Sequence, residues 1–191
     1  MTQDDPFKDV LVISDRLPLV VESVDQVPAV EEMARINETN EGLLRVCASM
    51  DDSPPRRTED GSDISQELIR IESKLNFLVE MVGALLHAQT LLPPAVPVQL
   101  SMEGMGWVQP EPLSPGQNLR LDFYLCPQLP RPLLLYARVI ACESRGDGFA
   151  VSVLFQGLSP VLEDGIQKMI FRRHRRGIAL SRCKTERNPG E

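Results

Sequence analysis

A seven-residue repeat of hydrophobic residues is the clearest pattern in the chain. Its two series, offset by four residues, place their members in one stripe along a helix, an arrangement typical of helices that associate with other helices. Asp63 is a candidate cap, and Pro93 and Pro94 cannot continue a helix, so the sequence predicts a helix from Asp63 to about Gln89. The members of the stripe are Ile64, Leu68, Ile71, Leu75, Leu78, Val82 and Leu85.

This stripe has two interpretations. The helix could pack only on its own domain, or it could associate with copies of itself. It is longer than the average of about 11–12 residues for helices in globular proteins, and further hydrophobic residues flank the stripe at Val79, Met81 and Leu86. A widened stripe suits a bundle of more than two helices, or a helix that also covers a barrel. We therefore predict a homo-oligomer, with a tetramer as the expected assembly.

Hydrophobic and polar residues alternate from Val96 to Phe155, with the two-residue period of β-strands. Turn sequences such as Pro115-Gly116 and ESRGDG separate the alternating segments. Several short antiparallel strands joined by turns predict a small barrel or sandwich. The side chains expected to fill its core are Leu119, Leu121, Phe123, Val139, Val151, Val153 and Phe155.

A helix is expected to follow the last strand. Ser159 is its candidate N-cap, and Pro160 would occupy the first helical position. Gly177 is a plausible end for this helix. The remaining residues, 178–191, are therefore expected to form a loose tail.

The N-terminal third of the chain has weaker patterns. Residues 28–50 carry hydrophobic residues at helical spacing, although Gly42 and residues 37–40 weaken the signal for a helix. The segment before it is hydrophobic but broken by Pro18, so a strand-like arm and a short helix are both open. The predicted organisation is an acidic, partly helical region with a linker (1–62), the long helix (63–92), the barrel with its closing helix (94–177) and the tail (178–191).

Charge is distributed unevenly along the chain. The net charge of −7 combines −9 in residues 1–65 and −4 in residues 66–165 with +6 in residues 166–191. This distribution argues against nucleic-acid binding, although the basic end could meet an anionic partner. We expect a cytoplasmic location without a membrane span, because no signal-peptide pattern and no long hydrophobic run is present and the four cysteines are scattered.

Catalysis is not supported by the sequence. The two histidines, His87 and His174, have no cysteine or second histidine at the spacing of metal ligands. No nucleophile elbow, P-loop or dinucleotide fingerprint is present. We therefore predict a protein that is not an enzyme and holds neither a metal nor a cofactor.

Four segments together resemble the PilZ domain family of small bacterial β-barrels, many of which bind cyclic di-GMP. They are QLSMEG, LSPGQNLRLDF, ARVIACESRGDGFAVSVLFQGLS and the closing helix, within about Val96 to Arg176. The long helix before the barrel is similar to an atypical, tetrameric branch of the family. The resemblance implies an α+β fold, with an antiparallel PilZ-like barrel closed by a C-terminal helix.

The resemblance also implies where a nucleotide would bind. Family members that bind it carry Arg-x-x-x-Arg ahead of the barrel and Asp/Asn-x-Ser-x-x-Gly on an early strand. Here the second motif is present only as Gln99, Ser101 and Gly104, and Gln99 is longer than the expected residue. The first motif is missing, because Arg56, Arg57 and Arg70 have the wrong spacing. Cyclic di-GMP binding is therefore possible but disfavoured, and Ser101 is expected to be an exposed serine before a glycine kink.

The basic run RRHRR contributes Arg172, Arg173, Arg175 and Arg176. Three interpretations are open: a solvated helix end, a docking patch for an acidic partner, or a displaced nucleotide grip.

From the resemblance we predict an oligomeric adaptor in a cyclic di-GMP network, which contacts an unidentified signalling or motility protein. The alternative is a cyclic di-GMP receptor whose arginines come from Arg56 and Arg57 or from a neighbouring subunit.

Overall fold

The computed structural model describes residues 10–51, 63–89, 91–126 and 129–187. Within these ranges the chain forms six strands and three helices. The strands are β1 (Ile13–Val24), β2 (Ala95–Leu100), β3 (Gly104–Gln109), β4 (Asn118–Phe123), β5 (Leu133–Arg145) and β6 (Gly148–Gln156). The helices are α1 (Val30–Asp51), α2 (Asp63–Gln89) and α3 (Pro160–Arg187).

The six strands close into an antiparallel barrel in the order β1-β2-β3-β6-β5-β4. The predicted α+β fold, with a barrel and a C-terminal helix, is therefore confirmed. Inward side chains alternate with outward ones along each strand, because successive side chains of a strand point to opposite faces. Leu119, Leu121 and Phe123 on β4 illustrate this, as all three are buried and the residues between them are half-buried.

β1 corrects the predicted limits of the barrel, which began at residue 94. Residues Ile13–Pro18 pair with β2, and residues Leu19–Val24 pair with β4, so the barrel closes through a strand from the N-terminal region. Pro18 lies where the pairing passes from one neighbour to the other. Its missing N–H costs little there, and its carbonyl accepts a hydrogen bond from the Tyr124 N–H at 3.1 Å. Pro18 argued against a strand in the sequence, but at this position it is compatible with β1.

The barrel core contains six of the seven predicted side chains, and the seventh, Phe155, is only half-buried. Phe155 is the penultimate residue of β6, so it lies at the rim of the barrel. A β-bulge between Val139 and Ala141 adds one residue to β5 against β6. The bulge explains why the strict alternation predicted for β5 ends at Val139, beyond which Ala141 is half-buried.

α1 confirms the helix expected within residues 28–50 and packs against the barrel and α3. Two asparagines from the segment that weakened the sequence signal make this contact. Asn40 is buried, and its side-chain amide donates to the Leu134 carbonyl at 2.6 Å and accepts from the Leu134 N–H at 3.1 Å. Asn37 donates to the Gly157 carbonyl at 2.8 Å. α1 is thus joined to the barrel by polar contacts that hydrophobic periodicity does not register.

α3 begins as predicted and ends later than predicted. The Ser159 hydroxyl accepts a hydrogen bond from the Leu162 N–H at 3.0 Å, as an N-cap does. The helix continues through Gly177 to Arg187, so the prediction of a loose tail from residue 178 is wrong for residues 178–187. Gly177 does not adopt the positive φ of a helix-ending glycine, and the alanine and leucine that follow it favour a helix. The linker was predicted at residues 51–62; Asp51 is the last residue of α1, and residues 52–62 lie outside the described residues.

Candidate functional site

Ser101 is buried in the tight turn between β2 and β3, which corrects the expectation of an exposed serine. Its hydroxyl oxygen accepts hydrogen bonds from the N–H groups of Gly104, at 3.0 Å, and Glu103, at 3.3 Å. The same hydroxyl lies 3.1 Å from the Gly104 carbonyl, to which it can donate. Ser101 and Gly104 therefore satisfy the backbone of this turn, and the Ser-x-x-Gly spacing has a structural cause that requires no ligand.

Gln99 is the exposed member of the motif. It pairs with Ser14 on one side and Gly106 on the other, in the middle of the surface formed by β1, β2 and β3. A shallow cavity of about 240 Å³ lies over this surface and is bordered by Gln99, Asp15 and Arg145, without Ser101 or Gly104. It is smaller than the roughly 300–1,000 Å³ of typical small-molecule sites.

No arginine pair accompanies Gln99 ahead of the barrel. Residues 1–12, which lie before β1 in the sequence, contain no arginine. Arg56 and Arg57 lie outside the described residues. Arg70 lies on α2, where it forms an exposed ion pair of 3.4 Å with Glu67. Among the residues that the structure describes, Arg145 is the one arginine that borders the Gln99 cavity, whereas the family motif supplies two guanidiniums to hold the phosphate groups.

In the basic run on α3, one arginine bonds to the barrel and others are exposed to solvent. Arg173 donates hydrogen bonds to the Asp15 carboxylate of β1 and to the main-chain carbonyl of Leu125. Arg172 is also half-buried, whereas Arg175 and Arg176 are exposed. Arg173 therefore attaches α3 to the barrel and is not a solvated residue.

A cavity of about 620 Å³ lies beside these arginines, between α3, α1 and β1. Arg172, Arg173 and Arg176 line it together with Arg16 of β1, and Arg175 does not. The sequence analysis missed this cluster, because Asp15 and Arg173 lie 158 positions apart in the chain. The Arg172-x-x-x-Arg176 spacing was the only available signal, since residues four apart lie on one face of a helix.

α2 carries a hydrophobic surface that its own chain does not cover. All seven stripe residues are exposed, from 46% for Ile71 to 74% for Ile64. Four further hydrophobic side chains of α2 are exposed: Met81 and Leu86 beside the stripe, and Ile69 and Phe77 on the other side of the helix. A groove of about 640 Å³ separates the second half of α2 from α1, and its walls include Leu75, Leu78 and Val82 of the stripe.

In the described part of the chain, the two groups with a shifted pKa do not form an acid–base centre. The Asp122 carboxylate accepts two hydrogen bonds from Arg120, at 3.0 and 3.1 Å, which raises the pKa of Arg120. Burial raises the pKa of Tyr136 on the neighbouring strand. Both changes have structural causes outside the cavities. Among the described residues, no three histidine, cysteine or acidic side chains are grouped as metal ligands.

His174 lies exposed on α3, and His87 lies on α2. Within the residues that the structure describes, no helix combines the length and hydrophobicity needed to cross a bilayer.

Comparisons with known proteins agree with this architecture. Residues 44–183 match the model of a family described as an atypical PilZ domain, cyclic di-GMP receptor. The chain is also similar to a solved structure from Xanthomonas campestris, described as a tetrameric PilZ domain that self-assembles through an unusual helical bundle. That structure has 26% sequence identity and a TM-score of 0.73, over 91% of this chain and 93% of the other. The search of curated proteins found no match.

Proposed function

The chain belongs to the atypical PilZ domain family, and we propose that it is a non-enzymatic adaptor of cyclic di-GMP signalling that works as a homotetramer. In this proposal α2 assembles the subunits, and the barrels present surfaces to a protein partner in the cytoplasm. The exposed stripe on α2 is the observation that carries the proposal.

In a single chain the hydrophobic side chains of the stripe stay exposed to water, which is unfavourable, and assembly would bury them. Burying a leucine, isoleucine or valine side chain contributes about 1.5–3 kcal/mol, and seven such side chains are exposed in the stripe. The additional exposed residues Met81 and Leu86 flank the stripe and widen the hydrophobic surface beyond the narrow seam of a two-stranded coiled coil. A bundle of four helices buries a wider surface of each helix.

The groove between α1 and α2 supports the same assembly. Leu75, Leu78 and Val82 belong both to the stripe and to the wall of the groove. A second copy of α2 packed on the stripe would therefore also cover part of the groove. The similar Xanthomonas campestris protein, which self-assembles through a helical bundle, supports this use of the helix.

The adaptor part of the proposal rests on the Gln99 surface. The part of the motif that matches the family pattern, Ser101 and Gly104, is explained by hydrogen bonds within the turn. Gln99 stands where Asp or Asn would be expected, and no arginine pair precedes the barrel. Each missing hydrogen bond to a charged group forfeits about 1.5–3 kcal/mol, so losing two moves a micromolar site towards millimolar.

A receptor remains the second candidate, because the matching family is described as a cyclic di-GMP receptor. In that case the arginines would come from Arg56 and Arg57 or from α3 of a neighbouring subunit. Both candidates share the oligomer and differ only in whether the nucleotide binds.

Calorimetric titration of the full-length oligomer with cyclic di-GMP separates the two candidates. The adaptor proposal predicts no binding tighter than about 10 μM. Tighter binding would establish the receptor, and alanine variants of Arg56 with Arg57 and of Arg172 with Arg176 would identify the arginines. If binding is absent, a pull-down with intact chain and with chain truncated after residue 171 would test whether the basic end contacts the partner.

A further inference from the structure

The cavity between α3 and the barrel has the size of a small-molecule site. Its volume is about 620 Å³, within the roughly 300–1,000 Å³ that such sites occupy. Gln99, Ser101 and Gly104 do not line it, although Asp15 borders both this cavity and the Gln99 cavity. Hydrophobic side chains of three elements form part of its wall, with Leu17 from β1, Leu44 from α1 and Met169 from α3.

The charged residues of this cavity are strongly biased towards one sign. Four arginines line it, namely Arg16, Arg172, Arg173 and Arg176, and the only acidic residue among its lining residues is Asp15. The Asp15 carboxylate already forms an ion pair with Arg173. Arg16 and Arg172 therefore leave a positive potential in a concave, partly hydrophobic space, where charges are less screened than on an open surface.

Arg172 gives the most direct indication of a ligand. Its Nε is buried and has no hydrogen-bond partner among the residues that the structure describes. A buried donor without a partner destabilises a protein. An acceptor from outside the chain would satisfy it. Arg176 lies one turn further along the same face of α3, so both guanidiniums border one space.

Two neighbouring arginines are already fixed in position. Arg173 is held by Asp15 and by the Leu125 carbonyl, and Arg16 donates to the Ala95 carbonyl at 3.0 Å. Guanidiniums held in this way lose little conformational freedom when an anion binds. The cavity thus presents fixed positive charge from β1 and from α3 before any ligand arrives.

We propose that this cavity binds a small phosphate-bearing molecule, with Arg172 and Arg176 contacting the phosphate group. A phosphate monoester carries a charge of about −1.5 to −2 and offers three acceptor oxygens, which suits several guanidiniums better than a carboxylate does. The non-phosphate part of the molecule would lie against Leu17, Leu44 and Met169. The site is additional to the adaptor function and does not depend on it.

Binding of inorganic phosphate to the full-length oligomer, followed by phosphorus NMR line broadening at constant ionic strength, tests the proposal. We expect saturable binding with a dissociation constant of about 1 mM or tighter. Arg172→Gln should weaken it by about tenfold or more. Arg175→Gln removes the same charge from the same helix outside the cavity, and it should change binding by less than about twofold. Absence of saturation, or equal weakening by both variants, would overturn the proposal.

Adenosine monophosphate tests the role assigned to the hydrophobic wall. It should bind more tightly than inorganic phosphate, and Met169→Ala, which adds no charge to the cavity, should reduce that advantage while phosphate binding is kept. Equal affinity of the two probes in the wild-type chain would contradict the placement of the non-phosphate part.

Thermal unfolding separates a binding role of Arg172 from a purely structural one. Ligand that binds only the folded state raises the unfolding midpoint. Phosphate should therefore raise the midpoint of the wild type and of Arg175→Gln, but not that of Arg172→Gln. In phosphate-free buffer Arg172→Gln should unfold at or above the wild-type temperature, because it removes the buried Nε–H donor that has no partner among the described residues. A lowered midpoint there, with an undiminished response to phosphate, would show that Arg172 is only structural.

Discussion

The barrel and α2 bury their hydrophobic residues in different ways. On β4 the side chains of Leu119, Leu121 and Phe123 are at most 1% exposed within one chain, whereas the stripe residues of α2 are all exposed. Both elements show a regular hydrophobic pattern in the sequence. The difference teaches that periodicity identifies the face that a segment will bury, and that the same pattern does not say whether the partner surface belongs to the same molecule.

The largest effect is expected from placing charged residues in the stripe. Leu75→Asp together with Leu78→Asp should dissociate the oligomer, because two carboxylates cannot be buried between packed helices. Light scattering should then give 21.3 kDa, the mass of one chain. Circular dichroism in the aromatic region should retain the signal of the buried Trp107, because the barrel is complete within one chain.

A matched control adds the same two charges away from the stripe. Gln66 and Ser73 are exposed and lie on the side of α2 opposite to it. Gln66→Asp together with Ser73→Asp should keep the mass of the wild type. Dissociation of this control as well would mean that charge alone, and not loss of the stripe, had separated the subunits.

The barrel half of the comparison predicts a large loss of stability from one core substitution. Phe123 is 1% exposed, and Phe123→Ala should lower the free energy of unfolding by about 3–5 kcal/mol, because it removes buried surface and leaves a cavity. Leu154→Ala on the outer face of β6 should cost less than about 1 kcal/mol. Urea unfolding at one fixed protein concentration measures both. Similar losses would mean that the strand faces are assigned the wrong way round.

The junction between α1 and the barrel predicts a smaller effect. Asn40→Ala leaves the N–H and carbonyl of Leu134 without the partners they have now, which should cost about 2–3 kcal/mol. Glu38→Ala, at an exposed position on the same helix, should stay within about 0.5 kcal/mol. If Asn40→Ala is also neutral in urea unfolding, α1 is not held to the barrel by these hydrogen bonds.

The turn at Ser101 predicts the smallest effect. Ser101→Ala removes the acceptor for the Gly104 N–H and should cost about 1–2 kcal/mol in urea unfolding. Gln99→Ala, at an exposed position two residues before it, should change stability by less than about 0.5 kcal/mol. The reverse order would contradict the structural role given to the serine.

Sequence patterns predicted the elements whose hydrophobic side chains follow a regular period. The long helix, four of the six strands and the start of α3 belong to this group. β3 was predicted as a glycine kink, because Gly104 and Gly106 interrupt the hydrophobic alternation. β1 escaped a firm assignment because its two halves pair with different strands, and Pro18 lies at the point of change. The end of α3 was misplaced because Gly177 was taken as a stop, although its position in the helix requires no positive φ.

The candidate sites were predicted less well, for a physical reason. A buried serine and an exposed one look the same in a sequence, so Ser101 was placed on the surface when its hydroxyl in fact bonds within the turn. Asn37 and Asn40 were counted against a helix, because a sequence does not show that their side chains form hydrogen bonds to Gly157 and Leu134. The arginine cavity depends on contact between β1 and α3, from opposite ends of the chain, which no local pattern contains.

Assembly through α2 is the central claim, and the mass of the intact wild-type chain in solution tests it most directly. Static light scattering should give four times 21.3 kDa, unchanged as the protein is diluted through the micromolar range. A mass of 21.3 kDa at micromolar concentration would show that the α2 stripe remains exposed in solution and would contradict the account.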